Sequence, residues 1–210
     1  MNANIYLGLF AGVVVCFSLL SFIMFKKTYM ERVRNDIQIN ITKDQMLQIE
    51  NKLSKLKEDN NFNDDTDIYK IGQALNVYEG REKPFLGGRA HIESEEGTNR
   101  KIVDYSTRLS KEDRFYFFAH ECGHVLNNDI IPNEKGYGRG ETQEEHLADY
   151  VAEALLMPRN KLQTFMKQSD FYNLSAKKQR QIITSLCRTY CVSEITAIKR
   201  IREMQVLDEN

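Results

Sequence analysis

The sequence is poor in the features that would mark several large classes of protein. Its four cysteines, Cys16, Cys122, Cys187 and Cys191, lack the dense spacing of a small disulfide-stapled secreted fold. That usage fits a reducing compartment. Neither sign of charge is in excess: 29 Lys and Arg stand against 30 Asp and Glu, for a formal net charge of −1. Such a balance gives no global push toward nucleic acid or acidic partners. The chain contains no internal repeat and no low-complexity tract. Histidine is scarce as well, four in 210 residues, so a patterned pair of histidines carries information.

The apolar residues that are present are unevenly spread. Ile5 to Phe25 (IYLGLFAGVVVCFSLLSFIMF) is a run of 21 residues without a charge. As a helix it would be about 32 Å long, matching the roughly 30 Å hydrocarbon core of a bilayer. No Lys or Arg precedes it and no small-x-small site follows, which argues against a cleaved signal peptide. Lys26, Lys27, Arg32 and Arg34 follow the run, so the positive-inside rule places the C-terminal bulk in the cytoplasm. The expectation is a single-pass protein of the cell membrane, with residues 1–25 as a transmembrane anchor.

Residues 26–65 read as a juxtamembrane helical linker. Thr42-Lys43-Asp44-Gln45 fits a capping box and marks a helix start. Met46, Ile49, Leu53 and Leu56 form a stripe too short for a coiled coil, which suits a helix packed on its own domain. It leaves the oligomeric state open. Asn60 to Asp65 is a turn-rich boundary, and a catalytic domain is expected over 66–160. A short amphipathic helix fits Ile68 to Leu75. Strands are predicted from Val77, over Arg89 to Glu93 and over Lys101 to Tyr105, with a loop at Gly80 to Pro84 and a turn at Glu95 to Asn99. Ser110 opens a strong helix running to about Leu126, and a second spans about Thr142 to Leu156, stopped by Pro158.

The first of these helices carries His120-Glu121-Cys122-Gly123-His124. Residues four apart share a helix face, so His120 and His124 can reach one metal ion. Glu121 sits one residue round, suited to act as general base on a water at the metal. Cys122 points about 200° away and is not counted as a ligand. Gly123 permits close approach of another segment. A catalytic zinc takes three protein ligands, so a third is needed from another element. The second helix offers Glu141, Glu144, Glu145, His146 and Asp149. Glu145 is favoured, with Glu144 and His146 as alternatives. Asp149, four residues on, would accept the free ring N–H of a ligating histidine. Thr142 to Glu145 also reads as a capping box, which would turn Glu145 back to the helix end. For an oxyanion donor the sequence offers Tyr105, Tyr137, Tyr150 and His91, with Tyr137 in the loop Gly136 to Gly140 able to close over substrate.

These residues together resemble the ImmA/IrrE family of metallo-endopeptidases. The likeness rests on Arg114-Phe115, His120-Glu121-x-Gly123-His124, Glu145-x-x-Ala148-Asp149, Ala152 and Leu155-Leu156-Met157-Pro158. It covers about residues 66 to 205 and is strongest from 114 to 158. Two positions depart from the family pattern: Leu147 stands where an acidic residue is frequent, and Val151 where an aromatic is common. The resemblance implies an α+β fold: a zincin-like minimal metallopeptidase domain with a small sheet, the HExxH helix and a Glu-ligand helix. It implies one zinc ion per chain held by His120, His124 and Glu145, with Glu121 as base. It also implies a protein substrate in the cytosol, often a repressor-type transcription regulator.

Residues 161–210 are expected to form a helical subdomain with a helix-turn-helix-like segment, Gln179 to Tyr190 and Glu194 to Met204, capped at Ser193. This supports an alternative function, a membrane-anchored regulatory or DNA-binding protein. Ile182, Ile183, Leu186, Ile195, Ile198 and Ile201 look like core and no base-reading set stands out, so nucleic acid is not the favoured partner.

Overall fold

The computed structural model describes residues 39–84, 90–127 and 142–208. The expected span Ile5–Phe25 lies outside them. Among the described residues no helix is long and apolar enough to cross a membrane. Ile39–Asn210 forms one compact unit.

The elements run α1 (Lys43–Asp59), α2 (Ile68–Ala74), β1 (Val77–Lys83), β2 (Ala90–Ser94), β3 (Lys101–Ser106), α3 (Lys111–Leu126), α4 (Gln143–Leu156), α5 (Arg159–Gln168), a 3₁₀ turn at Phe171–Asn173, α6 (Ala176–Tyr190) and α7 (Glu194–Asp208). The architecture is α+β, with a three-stranded sheet in the order β1-β3-β2. β1 pairs with β3 in parallel, and β2 pairs with β3 antiparallel.

Local chemistry accounts for most boundaries. The capping box at α1 forms in full, with the Thr42 side chain accepting from the Gln45 N–H and the Gln45 side chain from the Thr42 N–H. Ser110 caps α3 through the Asp113 N–H, 3.1 Å away. The chain leaves α4 through Met157, whose backbone (φ −126°, ψ 78°) has left the helical region, which a following proline disfavours. Cys191 ends α6 in the left-handed region at φ 54°, and Ser193 accepts from the Thr196 N–H to start α7.

The sequence pattern predicts a loop over Gly80 to Pro84, yet β1 continues to Lys83. The register with β3 slips between Glu79 and Glu82, and there the buried Asp104 accepts from the Arg81 N–H at 2.7 Å. A side chain at Gly80 would collide with Asp104 and Ile102, so this glycine marks a bulge rather than a strand end.

Two apolar cores result. The larger joins Met46, Ile49 and Leu53 of α1 to Ile71, Val77, Val103, Phe118, Leu147, Tyr150 and Val151. Met157, Leu162, Met166, Leu186, Ala197, Ile201 and Met204 build the smaller. Thus α1, expected within the 26–65 linker, buries its apolar stripe in the same core as the sheet and α3. A buried polar contact joins the first and last helices: Arg200, 0% exposed, donates to Glu50 at 2.7 Å, and the Tyr150 hydroxyl donates to the same Glu50 oxygen at 2.9 Å.

The segment expected to resemble a helix-turn-helix is present as α6 and α7. However, α7 buries Thr196, Ala197, Arg200, Ile201, Glu203, Met204 and Leu207. It is a core helix on most of its circumference.

α4 is nearly encircled by core, and its small residues let α3 come close. A Cβ added at Gly123 would stand 2.7 Å from the Ala148 carbonyl oxygen and 2.8 Å from its Cα. Backbone cannot yield as a flexible side chain does, so Gly123→Ala forces the helices apart. The expected loss of stability is on the order of 1–3 kcal/mol, read from the urea unfolding midpoint. An unchanged midpoint would show that the contact is looser than described.

Candidate metal centre

α3 and α4 bring together two histidines and a carboxylate. His120 and His124 project from one face of α3, their Nε2 atoms 3.0 Å apart and their rings nearly perpendicular at 79°. Across the helix contact, Glu145 places Oε2 3.2 Å from His120 Nε2 and Oε1 3.6 Å from His124 Nε2. One donor atom from each of the three residues falls within 4.8 Å of the others. The capping conflict at the start of α4 resolves in favour of this cluster. Thr142 accepts from the Glu145 N–H at 3.3 Å, while the Glu145 carboxylate faces the histidines.

The other candidates fall elsewhere. Glu144 meets His124 at the opposite ring nitrogen, Nδ1, at 3.3 Å. His146 is not part of the convergent set among the described residues. Glu141 and Tyr137 lie outside the described residues, as does the side chain of His91. The Tyr150 hydroxyl is committed to Glu50. The Tyr105 hydroxyl is buried with no hydrogen-bond partner. Cys122 is fully buried, and burial pushes its thiol well above the usual range, so it is an inert core group. Leu147 and Val151, the two departures from the family pattern, are both 0% exposed core residues.

The outer partners determine which way the ring nitrogens face. Asp149 Oδ1 lies 2.9 Å from His120 Nδ1 and accepts from the Tyr116 hydroxyl at 2.7 Å. Asp149 is therefore where the sequence placed it, behind the first histidine. Tyr116 was not anticipated, although it stands one helical turn before His120. A carboxylate at Nδ1 holds the proton there and leaves Nε2 a lone pair. Glu144 does the same for His124.

The donor set thus presents two imidazole lone pairs and a carboxylate to a common point. Such a set favours a cation, and His–His–carboxylate is a ligand set suited to zinc. The charges follow. Burial opposes a charge on His120, but Asp149 and Glu145 outweigh it and raise its pKa to about 9. The hydrogen bond to His120 holds Glu145 below the ordinary carboxylate range. Burial acts to raise Asp149, yet His120, Tyr116 and Lys199 keep it low. Glu121 is different: burial lifts its carboxyl above the ordinary value, against the pull of His120 and His124. Lys101, at the start of β3, adds a further positive charge in its neighbourhood, a residue that the motif did not reveal.

A two-helix site with two histidines one turn apart and a facing glutamate is of the metallohydrolase kind. The family model described as the IrrE N-terminal-like domain, Peptidase M78, matches residues 81–202. The chain belongs to this family, the ImmA/IrrE family whose pattern the sequence resembles. The fold is also similar to the solved structure of a Mycobacterium tuberculosis transcriptional regulator, at TM-score 0.50 and 16% identity. The likeness covers 84% of this chain and 49% of that one, so the chain spans about half the length of that protein. No curated protein matches the chain.

Two outcomes follow from the geometry. Asp149→Asn, and to a lesser degree Tyr116→Phe, should weaken metal affinity by about 10–100-fold, measured by competition with a chromogenic chelator. Unaltered affinity in both would remove them as supports. The raised pKa of His120 also has a sign. Its protonated form stabilises the metal-free fold, fully below the unfolded value of about 6.5 and decreasingly as pH rises through about 9. A metal at pH 7 must displace that proton, so binding should release about one proton, falling to none above about pH 9. Calorimetry in buffers of different ionisation enthalpy reads this number directly.

Proposed function

We propose that this protein is a zinc-dependent endopeptidase that cleaves a protein in the cytosol, with a repressor-type transcription regulator as the class of substrate. The carrying observation is the convergence of His120, His124 and Glu145, with the half-buried Glu121 beside them on α3. His120, His124 and Glu145 would hold the ion, one per chain. When bound, zinc supplies a Lewis acid that acidifies water and polarises a peptide carbonyl. Glu121 accepts a proton from the attacking water at its carboxylate oxygen. It then delivers that proton to the nitrogen of the leaving amine. Burial raises its carboxyl above the ordinary carboxylate value, which shifts it in the direction that favours both gaining and giving up a proton. Asp149 and Tyr116 keep His120 in one tautomer throughout. Anchoring at the inner face of the cell membrane is part of the proposal, supported by the apolar run Ile5 to Phe25 and the cations that follow it. The burial of α7 supports a packing role for the C-terminal helices over a DNA-reading one.

Glu121→Gln should keep zinc at wild-type stoichiometry and lose cleavage of a co-expressed repressor-type regulator by at least about 10²-fold. His120→Ala should lose the zinc. Peptidase activity retained by the glutamine variant would sink the mechanism. Unchanged zinc content in the alanine variant would remove His120 as a ligand.

A further inference from the structure

Asp149 has two carboxylate oxygens, and only one is accounted for by α3. Oδ1 takes both the Tyr116 hydroxyl and His120 Nδ1. Oδ2 faces Lys199 of α7, whose Nζ lies 3.9 Å away. The same ammonium sits 2.9 Å from Glu153 Oε1, one turn further along α4. The Lys199 side chain is 19% exposed and that of Glu153 2%, so neither group is a solvated surface charge. The neighbouring residue on α7, Arg200, reaches instead to Glu50 and to the Met157 carbonyl. Two consecutive cations of α7 therefore make separate polar contacts around α4.

From this geometry we infer that Lys199 is a positioning residue of the metal centre, holding the Asp149 carboxylate, and through it His120, in the orientation that aims Nε2 at the ion. The inference rests on the zinc reading above and extends it to a helix outside the HExxH and Glu-ligand pair. A carboxylate held at one oxygen can still rotate about its Cβ–Cγ bond. With a cation 3.9 Å from the second oxygen, one plane is favoured electrostatically, and with it one direction of the hydrogen bond to Nδ1. Glu153, 2.9 Å from the ammonium, keeps Lys199 between the two acids of α4. The C-terminal helix is on this view a part of the catalytic apparatus, although it touches neither ion nor substrate.

The test compares the wild-type full chain with Lys199→Met, Lys199→Arg and the double variant K199M/E153Q, using zinc ion as the probe. Affinity is read by chelator competition, the His120 ring tautomer by ¹⁵N chemical shifts of the zinc-free protein above about pH 9, where the ring is neutral, and folding by the urea midpoint. The double variant removes the ammonium together with the Glu153 carboxyl it sits against, and leaves the other buried acid beside it, Glu203, paired with Arg200 at 3.7 Å, so it is the variant expected to stay folded if Lys199→Met alone does not. The expected results are zinc affinity about 10-fold weaker in K199M/E153Q at a near-native midpoint, a mixture of ring tautomers at His120, and recovery to within about threefold of wild type in Lys199→Arg. A merely structural lysine would move the midpoint and leave the tautomer alone. Wild-type zinc affinity with an unmixed Nδ1–H tautomer in the folded double variant overturns the role of Lys199 alone. A wild-type chain that binds no zinc, or whose His120→Ala form binds it equally well, overturns the metal reading and this inference together.

Discussion

The missing Cβ of Gly123 sets the geometry of this protein's site. The Ala148 backbone occupies the space where a side chain at residue 123 would stand. α3 and α4 consequently meet at backbone-to-backbone distance, and the glutamate of one helix reaches the histidines of the other. A glutamate has a short reach, so separating the helices by even a couple of ångströms would carry Glu145 out of range of both Nε2 atoms. The rest of the core secures this approach. Ala148 and Ala152 are fully buried on α4, while Phe118 on α3 lies where a side chain on Gly72 would stand. The sheet behind them contributes Val77, Val103 and Tyr105. Small residues at one contact thus govern the spacing of three polar atoms at another.

Charge within this frame is divided by burial and partnership. Asp149 and Glu145 gain hydrogen bonds that outweigh their burial, so both stay anionic and hold His120. Glu121 lies on the other helix, α3, near the same histidines, and for it burial dominates. Three carboxyl groups around two histidines therefore sit in different environments: Glu145 faces the two Nε2 atoms, Asp149 meets the His120 ring at Nδ1, and Glu121 is the one whose proton burial favours. A helix with only the residues of the motif, lacking the Tyr116 hydroxyl and the Lys199 ammonium around Asp149, would not separate these roles so cleanly.

The parts of the structure that depend on local chemistry were legible in the sequence. The four-residue spacing of His120 and His124, the capping of α1 by Thr42 and Gln45, and the limits of α3 and α4 all follow from contacts within one or two helical turns. The carboxylate that faces the histidines was only half legible, because Glu145 suits both a helix cap and a metal. Long-range approach decided between them. Tyr116 could have been found from its i, i+4 relation to His120, had that face been read backwards from the histidine as well as forwards. The bulge at Gly80 could not, since it depends on Asp104 of a neighbouring strand. Neither could Lys199, nor the pairing of Glu50 with Arg200. No periodicity relates residues so far apart, and a charged residue on a helix reads as solvated until its neighbours are known.

That last pairing has a consequence for the order of events in biosynthesis. Glu50 and Arg200 are 150 positions apart, and the two helices that carry them contribute to the same larger core through Ile49 and Leu207. During vectorial synthesis the α1 segment emerges before the elements it packs on, with Met46, Ile49 and Leu53 apolar and their final neighbours incomplete. The strands and both histidine- and glutamate-bearing helices can assemble as they follow. Arg200 and Lys199 are made after both of those helices, side by side, and lie near Glu50 and Asp149 respectively. In a nascent chain the cluster of His120, His124 and Glu145 therefore lacks the charges that α7 brings behind it until that helix has left the ribosome.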